Sequence, residues 1–136
     1  MAAAQHVGVT PQVSAEALAA FEGVKRRLEL LGVIGEIAVY DDFAHHPTAI
    51  ASTLEGLRAR TSGGRLLALI EPRSNTMRMG QHREQLAAAT AAADQVYWFQ
   101  PPGMDWSLEA VIAQSAAPAA LACDIDELVA TVADQA

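Results

Sequence analysis

Apolar and polar positions first repeat with helical spacing over residues 14 to 21, "SAEALAAF", where Ser14 offers an N-cap side chain. After Gly23 the pattern changes. "KRRLELLG" and "EIAVYDDF" alternate or run apolar as strands do, and Gly32 and Gly35 in the short connection predict a hairpin. Pro47 suits the first turn of a helix, where its missing N–H costs nothing, and Ile50, Leu54 and Leu57 then mark one helical face. "TSGG" closes that helix, and "RLLALIEP" reads as a fully apolar strand of the buried, parallel kind. "RSNTMRMG" reads as a loop and "QHREQLAAATAAAD" as a third helix. Strand "QVYWFQ", turn "PPGMD", helix "SLEAVIAQ", a short strand around "ALAC" and helix "DELVATVAD" complete the pattern.

From residue 36 onward strands alternate with helices, which predicts an α/β, Rossmann-like fold. Its sheet is expected to be mostly parallel with helices on both faces, and the hairpin to add an antiparallel edge. Residues 1 to 12 are expected to be a tail or linker remnant ahead of a domain over 13 to 136. In such sheets ligands bind beyond the carboxyl ends of the strands. That rule singles out "DDFAHHP" and "EPRSNTMR" as the two functional loops.

Composition narrows the classes. The 136 residues are 51% hydrophobic and 18% charged, which suits one globular domain with a real core. A net charge of −7 argues against broad nucleic-acid binding, which needs a basic face. A lone cysteine, Cys123, permits no intrachain disulfide and suits a reducing, cytoplasmic setting; it is expected to be a small buried hydrophobe. No apolar run approaches a membrane span, and the first residues lack the pattern of a signal peptide.

The candidate chemistry is concentrated in the two loops. Asp41 and Asp42 end a strand; an aspartate there either accepts from ribose hydroxyls or caps the helix starting near Pro47, and spacing does not choose. His45 and His46 precede that helix, whose N-terminus favours anions. Adjacent histidines diverge, and His82 with the aspartates completes no usual metal spacing, so no metal site is expected. Arg73 and Arg78 offer planar forks for carboxylates or phosphates. Lys25, Arg26 and Arg27 form a second basic cluster; on a strand Arg26 and Arg27 would face opposite ways. Trp98 and Trp106 are expected to pack the core and a loop. No "GxxxxGK[ST]", "GxGxxG" or "GxSxG" occurs, so nothing cradles a triphosphate in the usual way.

"FEGVKRRLELLG", "VYDDFAHHPTAI" and "EPRSNTMRMG", in this order and spacing, resemble the C-terminal domain of the Mur ligases, ATP-dependent amide-bond-forming enzymes of bacterial peptidoglycan synthesis. The resemblance runs from about Val13 to the end of the chain. It implies a Rossmann-like domain that normally follows a UDP-sugar domain and a central ATPase domain, with ATP and Mg2+ held mainly by the latter. It also implies a further strand and glycine-rich loop beyond "VADQA". By resemblance Asp42 approaches the ATP ribose and Arg27 contacts the nucleotide on closure. His45 lies near the phosphates and incoming amine as the catalytic residue, and Arg73 holds an acceptor carboxylate.

One departure shapes the expected substrate. In the L-alanine-adding branch a second arginine follows in this loop; here Thr76 stands at that place. That favours the recycling branch, which joins the tripeptide L-Ala-γ-D-Glu-meso-diaminopimelate to UDP-N-acetylmuramate through an acyl phosphate. Asn75, Arg78 or His82 would then meet the more distant carboxylates. The alternatives are the L-alanine-adding branch, a nucleotide- or anion-binding module without chemistry, and a metal-dependent hydrolase built on Asp41, Asp42, His45 and His46.

Overall fold

The computed structural model describes residues 2–21, 23–61 and 63–135. The chain opens with two helices, α1 (Ala2–His6) and α2 (Pro11–Ala19). The stretch expected to be a tail is therefore partly helical. Helix α2 begins before Ser14 because Pro11 presets its first turn and the Thr10 hydroxyl accepts from the Val13 amide at 3.3 Å. Ser14 lies inside the helix and is buried.

Strands β1 (Glu29–Ile34) and β2 (Ile37–Asp41) pair as the expected antiparallel hairpin. The connection is Gly35–Glu36, and Gly35 adopts φ 62, a left-handed conformation glycine enters without strain. The first strand starts later than the apolar pattern suggested. Residues 25–28 form a turn instead, with Arg26 at φ 57 and Leu28 at φ 52, so Arg26 and Arg27 do not alternate on a strand. The hairpin carries apolar side chains on both faces: Leu30, Val33 and Tyr40 on one, Ile34, Ile37 and Val39 on the other, all exposed.

Helix α3 (Pro47–Arg60) follows, with Pro47 in its first turn and Ile50, Leu54 and Leu57 buried as the spacing predicts. Strand β3 (Leu67–Ile70) leads to the short helix α4 (Asn75–Arg78), inside the stretch expected to be loop. Ser74 caps α4 by accepting from the Met77 amide at 3.3 Å. Helix α5 (Arg83–Ala89) is shorter than the alanine-rich run suggested. Strand β4 (Gln95–Phe99), helix α6 (Glu109–Gln114), strand β5 (Ala119–Ala122) and helix α7 (Ile125–Ala133) complete the chain close to expectation.

β3, β4 and β5 form a parallel sheet in that order. The hairpin is a separate two-stranded sheet, not hydrogen-bonded to this one. Ala68, Val96 and Trp98 share one face of the parallel sheet. They join Ile50, Leu54 and Leu57 of α3, Leu86 of α5 and Val111 of α6 in one buried cluster. Helix α7 packs over β4 and β5 on the other face, where Tyr97 is buried. That face is only partly covered: Leu69, expected to be buried, is 52% exposed. The α/β, Rossmann-like class with helices on both faces is thus realised around a three-stranded parallel sheet.

A polar staple closes the amino edge of this sheet. The Arg58 guanidinium donates to the carbonyls of Gly64 and Ala92 and pairs with Asp94, whose carboxylate also accepts from the Leu66 amide. Arg58's side-chain hydrogen bond, then the Leu66 N–H, hold the Asp94 carboxyl below its usual range. Cys123 is exposed rather than buried, because it follows the buried Ala122 at the end of β5 and alternation turns it outward.

Candidate functional site

The two aspartates at the end of β2 fasten the turn over residues 25–28. Asp41 pairs with the Arg26 Nε at 3.2 Å. Asp42 accepts from the Leu28 amide at 2.7 Å through one oxygen and from the Thr53 hydroxyl at 3.3 Å through the other. Glu29 adds a third carboxylate, accepting from the Arg26 amide at 2.8 Å, and the Phe43 amide donates to the Arg26 carbonyl at 2.8 Å. Non-glycine residues in the left-handed region cost roughly 1–3 kcal/mol each and persist only where their surroundings over-determine them. Four hydrogen bonds, three accepted by Glu29, Asp41 and Asp42 and one donated by Phe43, supply that determination at Arg26 and Leu28. Arg27 sits between the two strained residues and is exposed.

The helix following this loop is not capped by an aspartate. His46 is the N-cap of α3, its Nδ1 accepting from the Thr48 amide at 3.3 Å. The neighbouring histidine is wired the opposite way. His45 Nδ1 lies 3.0 Å from the Phe43 carbonyl oxygen. A carbonyl only accepts, so this nitrogen donates, and neutral His45 carries its free lone pair on Nε2. His46, which must accept at Nδ1, carries its proton on Nε2. Adjacent histidines therefore hold complementary tautomers, with an acceptor at His45 and a donor at His46. His46 also meets His82 edge-on, with ring centroids 4.5 Å apart.

The structure brings the two loops together at the carboxyl edge. The Ser74 hydroxyl donates to the His45 carbonyl at 3.4 Å. The loop after β3 thus leans on the loop after β2, placing Arg73 and Asn75 in the segment that touches His45. Arg73, Asn75 and Thr76 are exposed. Arg78 is partly engaged: its Nη2 lies 3.3 Å from the Gly103 carbonyl and 3.5 Å from that of Pro102.

Sequence reasoning missed the bracing of α4. The half-buried Trp106 indole N–H reaches the carbonyls of Met77 at 3.1 Å and Arg78 at 2.8 Å. Its ring lies where a side chain on Gly80 would stand, 3.2 Å from a Cβ placed there. Trp98 is fully buried, as expected of a core residue, yet its indole nitrogen has no hydrogen-bond partner.

Phe43, 43% exposed, stands among these charged groups. The Arg26 guanidinium lies 5.2 Å from its ring centroid, that of Arg27 5.8 Å, and the His45 ring 5.0 Å. Two shallow clefts lie elsewhere, lined by residues of α5 and α6 and by the turn before α5. Arg27, Asp42, His45 and Arg73 line neither cleft. Among the described residues no group of three His, Cys, Asp or Glu side chains is placed to hold a metal ion. No described helix is long and apolar enough to cross a membrane.

The family profile "Mur ligase, glutamate ligase domain" matches residues 26–136. The UDP-N-acetylmuramate–L-alanyl-γ-D-glutamyl-meso-2,6-diaminoheptandioate ligase of Haemophilus influenzae is 46% identical over 130 residues, 95% of this chain and 29% of that protein. The UDP-N-acetylmuramate–L-alanine ligase of Mycobacterium sp. strain JLS is 42% identical over 98 residues, 70% of this chain and 20% of that protein. Among solved structures, a murein peptide ligase from Psychrobacter arcticus superposes with a TM-score of 0.75 at 41% identity, covering 99% of this chain and 29% of that one. The chain thus spans under a third of the length of these relatives.

Proposed function

The chain belongs to the Mur ligase, glutamate ligase domain family, and from that premise we propose that it is the acceptor-positioning and nucleotide-closing domain of an ATP-dependent ligase. The reaction joins L-Ala-γ-D-Glu-meso-diaminopimelate to UDP-N-acetylmuramate. The observation that carries this reading is the similarity along 95% of the chain to a relative named for that peptide, against 70% for one named for L-alanine.

The lactyl carboxylate of UDP-N-acetylmuramate attacks the γ-phosphorus of ATP, ADP leaves, and an acyl phosphate forms. The free amine of the tripeptide's L-alanyl end then attacks the acyl carbon. Phosphate departs and the nitrogen loses a proton. Mg2+ would be held with most of the ATP by the central domain of the complete enzyme and would neutralise phosphate charge there.

The residues of this chain bind and orient. Arg27, projected from its clamped turn, meets the nucleotide as the domain closes. Asp42 lies beside it near the ribose while its carboxylate holds that turn in shape. His45, with Nε2 free, stands at the amine as proton acceptor and, once protonated, as a cation for the departing phosphate. Arg73 takes an acceptor carboxylate, and Asn75 and Arg78 reach the carboxylates further along the peptide. Catalysis by this domain is therefore mainly positioning and closure, and the domain alone is inactive.

The test uses the complete ligase and follows phosphate release with ATP, UDP-N-acetylmuramate and the tripeptide. Arg73→Ala is expected to raise KM for the tripeptide far more than KM for ATP, and His45→Ala to lower kcat by about 10²–10⁴-fold. Unchanged kinetics in both variants would overturn the roles given to these loops.

A further inference from the structure

The exposed Phe43 ring has no place in the reading above, yet two guanidiniums and an imidazole converge on it. A guanidinium within about 6 Å of a ring centroid is attracted by the negative face of the π system. Arg26 and Arg27 both satisfy that distance, at 5.2 and 5.8 Å. His45 meets the same ring tilted by 47°, and its Nδ1 bonds the carbonyl of Phe43 itself. Arg26 needs no ring to hold it, since Asp41 pairs with its guanidinium. Arg27 is different: its backbone is fixed between two strained residues, but among the described residues the Phe43 ring is the only partner its guanidinium has.

We propose that Phe43 is a positioning residue, whose ring seats the Arg27 guanidinium and the His45 imidazole together before substrates arrive. The inference rests on the proposed roles of Arg27 at the nucleotide and His45 at the amine. Its physical content is preorganisation. An arginine side chain free in solvent loses rotamer freedom when it grips a phosphate, and an arginine already laid on a ring has lost part of it beforehand. Leucine at this position would keep apolar bulk but offer no π face, whereas tyrosine would keep the face.

The experiment measures KM for ATP in the complete ligase, with UDP-N-acetylmuramate and tripeptide saturating. The variants are Phe43→Leu, Phe43→Tyr, Arg27→Ala and the double variant Arg27→Ala/Phe43→Leu. Phe43→Leu is expected to raise KM for ATP about three- to fivefold, in line with an exposed cation–π contact, and Phe43→Tyr to stay within about twofold of the parent. In the Arg27→Ala background, Phe43→Leu is expected to add nothing further. Phe43→Leu without effect, beside an Arg27→Ala that raises KM, would overturn the seat and leave the nucleotide reading intact. An equal, additive effect of Phe43→Leu with and without Arg27 would also overturn it, because the ring would then touch the nucleotide itself. An Arg27→Ala variant with unchanged KM for ATP would overturn the nucleotide role and the seat with it. Should Phe43→Leu not fold, Phe43→Met supplies the same test with a more adaptable side chain.

Discussion

The parallel sheet and the clamped turn are held together by different forces. In the core packed on the sheet, Val96, Trp98, Leu86 and Leu108 are almost wholly buried, and burial of apolar area does the stabilising. In the turn over residues 25–28 almost nothing is buried, and three carboxylates hold two strained residues in place. Packing tolerates volume-conserving change and punishes cavities, whereas a hydrogen-bonded turn fails locally when one acceptor is lost. Mutations in the sheet should therefore move stability and leave substrate constants alone. Those in the turn should loosen the chain locally and move substrate constants as well.

The largest expected effect comes from the core. Leu86→Ala in α5 should cost about 2–5 kcal/mol, read from the urea midpoint of this domain, with substrate KM values unchanged in the complete ligase. A shift in KM for ATP would break the division. At the turn, Asp42→Ala should cost about 1–3 kcal/mol by orphaning the Leu28 amide, and amide exchange at Leu28 should quicken well before the sheet amides respond. Uniform loss of protection across the domain would show the two regions to be one cooperative unit.

Gly80→Ala should cost about 1–2 kcal/mol, since φ +70 strains any side chain there and the new Cβ meets Trp106. Its denaturation midpoint should fall while His45-dependent chemistry persists. His46→Ala should cost about 1 kcal/mol and His46→Asn much less, because an asparagine oxygen can take the place of Nδ1 at the cap. Equal losses from both variants would show that the His82 contact, not the cap, matters at this position. The smallest effect concerns Asp94. Its carboxyl is held low in the folded state, so its contribution is present above the unfolded carboxylate value of about 3.9 and is lost as pH falls through the lower folded value. Asp94→Asn should flatten that part of the acid limb of the stability profile, and an unchanged limb would remove Asp94 from the account.

The parts of the fold that were legible in the sequence are those governed by periodic burial. Ile50, Leu54 and Leu57 announced α3, "QVYWFQ" announced β4, and the order of elements announced the parallel sheet. What escaped was set by side chains reaching backbone groups far along the chain. The apolar run "LELLG" invites a strand through Arg26, but Asp42 captures the Leu28 amide fourteen residues away and bends the chain there. The helix in "SNTMR" depends on one Ser74 cap and on Trp106 from another loop, neither visible as periodicity. Leu69 looked buried because its strand is apolar throughout. Its exposure reflects the incomplete cover that α7 gives to that face, a tertiary fact. At the site, the resemblance picked out His45 and Arg73, but the opposite tautomers of the two histidines and the crowding around Phe43 are set by contacts that neither spacing nor periodicity records.

The most direct measurement sets two acceptors side by side. The complete ligase is supplied with ATP and UDP-N-acetylmuramate, and phosphate release is followed with either L-Ala-γ-D-Glu-meso-diaminopimelate or L-alanine. The account predicts rapid release with the tripeptide and little with L-alanine, because Thr76 stands where a second arginine would close on a small carboxylate. Release with L-alanine alone would contradict that reading of the loop after β3, and release with neither would contradict the ligase itself.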